Sequence, residues 1–90
     1  MSDAKMFRNA TGLKGKTVFV GRGMYEMRFD DPPEVVRQRF LEVLPSLGWQ
    51  VYDTYPSGQL PPQGMTLIGP INQGRRYTLN TSGDKASMLV

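Results

Sequence analysis

Apolar positions along this chain follow two periods. Tyr25, Met27 and Phe29 alternate with Glu26 and Arg28, and Tyr77 and Leu79 alternate with Arg76, Thr78 and Asn80. A period of two puts one row in a core and the other in water, so both stretches predict strands. Val18, Phe19 and Val20 add strand formers ahead of the first stretch, across Gly21-Arg22-Gly23. Because glycine adopts positive φ without steric cost, residues 16–29 read either as a hairpin of two short strands or as one long strand with a bulge. Val36, Phe40, Val43, Leu44 and Leu47 instead recur at spacings of four, three, one and three, which draws one stripe along a helix.

The start of that helix is marked by Asp30-Asp31-Pro32-Pro33-Glu34. An Asp accepts hydrogen bonds from the free N–H groups of a first turn, proline is tolerated there, and Glu complements the positive end of the dipole. The helix is predicted to begin near Pro32 and to end at Gly48. Pro45 lacks an N–H and crowds the carbonyl of Leu41, so the last turn should kink or begin anew. Further strands are predicted over 49–55, 65–68, 75–81 and 85–90, with a loop rich in Pro and Gly over 56–64 between the first two. The fold class is therefore α+β: a single amphipathic helix packed on one face of a mostly antiparallel four- to five-stranded sheet, in the order β(β)αβββ. Residues 1–15 show no sustained period and are punctuated by Gly12 and Gly15, so they read as a basic arm or extended lead-in to a single domain over 16–90.

Composition narrows the chemistry more than the fold. The chain has no cysteine and no histidine, which removes disulfides, thiolate nucleophiles, sulfur-ligated metal sites and the side chain that normally titrates near neutral pH. With no carboxylate pair, Ser-Lys spacing or ligand cluster standing out, an enzyme is not expected, nor is a cofactor. No apolar stretch reaches signal-peptide or membrane-spanning length, so the expected setting is the cytoplasm or a virion, with no membrane partner.

Net charge is +3 but unevenly placed: Lys5, Arg8, Lys14, Lys16 and Arg22 face Asp3 alone in residues 1–22. The segment Ala10-Thr11-Gly12-Leu13-Lys14-Gly15-Lys16-Thr17 satisfies a relaxed phosphate-loop pattern. That chemistry needs the loop to follow a strand and open a helix, whereas Thr17 leads into Val18-Phe19-Val20, so the match is dismissed. Two readings remain. The first is a non-catalytic interaction domain that binds a protein, or a second copy, through a sheet edge, the arm, the proline loop Leu60-Pro61-Pro62, or the apolar end Met88-Leu89-Val90. The alternative is nucleic-acid binding by Lys5, Arg8, Lys14, Lys16, Arg22, Arg75 and Arg76 with Tyr77 on an open sheet face, because aromatics stack on bases and cations neutralise phosphates.

Overall fold

The computed structural model describes residues 2–54, 64–70 and 74–90. Among these residues the α+β fold has two helices and one antiparallel sheet. Helix α1 (Ser2–Thr11) opens the chain, followed by strands β1 (Thr17–Gly21) and β2 (Met24–Arg28). Helix α2 (Pro33–Val43) and a 3₁₀ turn (Leu44–Leu47) precede β3 (Gln50–Thr54), β4 (Gly64–Ile68), β5 (Arg76–Asn80) and β6 (Ser87–Leu89). The sheet order is β1-β2-β6-β5-β4-β3. Helix α2 thus joins a strand near one end of the sheet to the strand at the other, and β3 to β6 return as a meander until β6 pairs with β2.

Each element follows from local chemistry. Arg22 and Gly23, at φ 53° and 73°, form the two-residue turn that joins Gly21 to Met24. Positive φ at both central positions is the hairpin turn whose twist matches the flanking strands. The open choice at Gly21-Arg22-Gly23 therefore resolves as a hairpin, with an irregularity between Phe19 and Gly21 that adds a bulge to β1. Pro45 acts as expected: α2 stops at Val43, the chain tightens into the 3₁₀ turn, and Gly48 closes it in the left-handed conformation. The expected Asp cap is not made. Pro32 is the N-cap without a side-chain bond, and its carbonyl accepts from Val35 and Val36.

Two expectations are corrected. Among the described residues there are six strands rather than four or five, because the first apolar stretch is a hairpin and all four later stretches pair. The helix is not single either. Residues 2–11, expected in an arm, form α1, whose Ala4 and Phe7 are buried in the same core as Met27, Val36, Phe40, Leu44, Met65, Leu67, Leu79 and Met88. Phe7 packs its ring 5.9 Å from Phe40, 5.1 Å from Trp49 and 5.7 Å from Tyr77. At its end, Gly12 at φ 69° donates its N–H to the Arg8 carbonyl, and the Arg39 Nε–H donates to the Thr11 carbonyl. Of the predicted stripe on α2, Val36, Phe40 and Leu44 are buried, Val43 is half-buried, and Leu47 is 47% exposed, because the 3₁₀ turn rotates it off the α-helical stripe. Helix α2 is tied to β3 by Arg37, whose Nε and Nη2 donate to the two carboxylate oxygens of Asp53 at 2.8 and 2.6 Å. That bond holds the Arg37 guanidinium above its ordinary value. Among the described residues, no helix is long and apolar enough to cross a membrane.

Candidate functional site

Strand β1 is one edge of the sheet and β3 the other. The Arg28 N–H donates to the Lys16 carbonyl at 2.7 Å and the Asp30 N–H to the Lys14 carbonyl at 2.9 Å. Lys14, Lys16 and, by alternation, Val18 therefore aim their backbone groups at β2, while Thr17 and Phe19 aim theirs away from the sheet. The register Thr17↔Met27 puts the Thr17 and Phe19 side chains on the face that Met27 buries, and Val18 on the opposite face.

Apolar exposure concentrates at this end. Phe19 is 61% exposed and Val20 51%, and Met24 and Leu89 also stand open on neighbouring strands. Among the described residues Phe19 has one aromatic neighbour, the Tyr25 ring across the hairpin at 5.4 Å. Natural edge strands are commonly blunted by inward charges, prolines or bulges. Here β1 is short and bulged, with Lys16 and Arg22 at its ends, but the residues beside the bulge are apolar. Lys14, Lys16 and Arg22 are exposed along the same edge, and among the described residues none of the three side chains makes an ion pair.

The opposite face carries a second feature. Strand β6 pairs with β5 only at Leu79↔Met88 and Asn80↔Ser87, while its end follows β2 through the reciprocal bonds of Tyr25 and Val90. A groove of about 560 Å³ opens beside Arg76, lined among others by Met24, Glu26, Thr78, Asn80 and Leu89. Glu26 is held there by Arg28, with Nε 2.5 Å from its carboxylate.

The residues singled out from sequence scatter accordingly. Leu60, Pro61 and Pro62 lie outside the described residues. Met88, Leu89 and Val90 do not form a free terminal edge, because β6 lies between β2 and β5. Met88 is buried, and Leu89 faces the groove. The Arg and Tyr platform does not assemble. Tyr77 turns into the core beside Phe7 and Trp49, and its hydroxyl donates to the Asp3 carboxylate, which also holds Arg75. Burial, reinforced by Asp3, pushes the Tyr77 phenol up to about 12. Arg8 is an internal tie as well: its Nη2 donates to the Lys16 and Arg28 carbonyls at 2.7 and 2.8 Å, and its guanidinium lies 4.8 Å from the Phe29 ring centre. Burial pulls that guanidinium below its ordinary value, with Asp30 opposing. Lys5, Lys14, Lys16, Arg22 and Arg76 remain exposed, and of these Lys14, Lys16 and Arg22 share the β1 edge. The phosphate-loop match runs from the end of α1 into β1, the reverse of the order such a loop needs.

Reading the β1 edge as the site needed the strand order, which periodicity does not carry. The signal within reach was Val18-Phe19-Val20, three consecutive strand formers where an alternating strand would place a polar residue. No protein family, curated protein or solved structure matches the chain.

Proposed function

We propose that this domain is a non-catalytic protein-interaction module that receives an extended segment of a partner chain along the free edge of β1. The observation that carries this reading is an edge strand with outward backbone groups at Thr17 and Phe19 and exposed apolar side chains at Phe19 and Val20. Strand addition draws affinity from main-chain hydrogen bonds and selectivity from alternate side chains. The opposite edge is less suited, since Asp53 on β3 is committed to Arg37 and Tyr52 is its one large exposed apolar residue. Nucleic-acid binding loses support because Arg8, Arg75 and Tyr77 are spent on internal contacts.

Thr17→Pro separates edge addition from other modes of binding. It deletes an outward N–H while leaving the β1 to β2 bonds at Lys16 and Val18 in place. Peptides selected on the protein from a random display library should bind the unaltered chain and lose at least about ten-fold in affinity against Thr17→Pro. Equal affinity for both proteins would refute binding at this edge.

A further inference from the structure

We infer that the strand accepted by β1 comes from an acidic segment of a different protein, not from a second copy of this chain. The inference rests on the edge-addition reading above and adds the chemistry of the occupant. Lys14 and Lys16 stand at one end of β1 and Arg22 at the other, on either side of the exposed Phe19 and Val20. The nearest acids do not cancel them. Glu26, across the hairpin from Val18, is held by Arg28, and Asp30, whose N–H bonds to the Lys14 carbonyl, makes no ion pair with Lys14 or Lys16 among the described residues. The edge is therefore an apolar centre between two cationic ends.

A second copy meets that pattern badly. Antiparallel pairing about Phe19 or Val18 brings Lys16 or Lys14 of each copy toward the hairpin turn, and so toward Arg22, of the other, and in-register parallel pairing sets like residues side by side. Like charges brought together in this way repel. An incoming segment with a β-branched or aromatic centre and Asp or Glu toward both ends turns each repulsion into an attraction, and the same charges steer its approach.

The test uses the full chain and three labelled peptides that share one alternating Val and Thr centre and differ only in flanks of Glu, Gln or Lys, read by fluorescence anisotropy. The Glu-flanked peptide should bind about ten-fold more tightly than the Gln-flanked one, with the Lys-flanked one weakest, as expected for several exposed ion pairs. Raising salt should shrink that gap, since screening acts on exposed charges within about 10 Å at 0.1 M. The double variant Lys16→Glu/Arg22→Glu, its fold checked by circular dichroism, should reverse the order. Equal binding of Glu and Gln peptides overturns the acidic preference while leaving edge addition standing. If none of the three binds, or if all bind Thr17→Pro equally well, edge addition fails and this inference falls with it. A stable homodimer in sedimentation that Thr17→Pro abolishes, or an oligothymidylate that displaces the Glu peptide at lower concentration, also overturns it.

Discussion

Replacing Phe7 with Ala is the sharpest perturbation of the fold that carries the β1 edge. Phe7 is fully buried and bridges α1 to three other aromatic rings, those of Phe40, Trp49 and Tyr77, at 5.1 to 5.9 Å. Truncating a buried Phe to Ala costs about 3 to 5 kcal/mol, from lost transfer energy together with the cavity left behind. The three ring contacts place Phe7 toward the upper end of that range. A domain of this size holds roughly 5 kcal/mol in total, so the variant should be barely folded. At roughly 4 to 8 °C per kcal/mol for a chain of this length, the melting temperature should fall by at least about 12 °C. Phe19→Ala is the internal control: its ring is 61% exposed with Tyr25 as its aromatic neighbour, so its cost should be about 1 kcal/mol or less. Thermal and denaturant unfolding of both variants decides the matter. Equal, small shifts for Phe7→Ala and Phe19→Ala would mean that α1 is not part of the core.

Gly15→Ala should destabilise by at least about 2 kcal/mol in denaturant unfolding, because a Cβ there would stand 1.8 Å from the Arg28 carbonyl oxygen at a φ of 153°; a neutral effect would contradict the close approach of the β1 lead-in to β2. A spectrophotometric titration should show the Tyr77 phenol ionising near pH 12, and Asp3→Asn should lower that value while the part due to burial remains. Since the folded-state value is raised above that of the unfolded chain, the stability contributed by Tyr77 should be fully present below pH 10 and lost as pH rises from about 10 to 12. A double-mutant cycle on Arg37→Ala and Asp53→Ala should give a coupling of about 1 to 2 kcal/mol, as befits a two-bond pair that is largely shielded from water; a coupling near zero would show that α2 is held to β3 by packing alone.

The parts of the fold that were legible in sequence are those whose signal is local. The stripe Val36, Phe40 and Leu44, the break at Pro45 and the stop at Gly48 needed no knowledge of neighbours, and the alternation through Tyr25, Met27 and Phe29 located β2. Helix α1 was missed because its buried face is short. Ala4, Phe7 and Thr11 are spaced by three and four, but Thr11 is polar and satisfies itself by donating to the Phe7 carbonyl. Gly12, read as punctuation of an arm, is the helix-closing residue. The basic residues were legible as a cluster in sequence and not in space. Arg8 and Arg75 look free until the fold supplies backbone carbonyls for one and Asp3 for the other. The edge position of β1 and the interior position of β6 depend on the return of the meander to β2, a long-range pairing that no window of residues contains.

The most direct test of edge addition is amide hydrogen exchange along β1, with and without a saturating peptide. In the free protein the Thr17 and Phe19 amides, which point away from the sheet, should exchange fast, while the Arg28 amide bonded to the Lys16 carbonyl should be protected. Bound peptide should slow Thr17 and Phe19 by at least about ten-fold through new inter-strand hydrogen bonds. Unchanged exchange at both amides, with protection appearing instead along β3 or around the groove beside Arg76, would contradict a binding edge at β1.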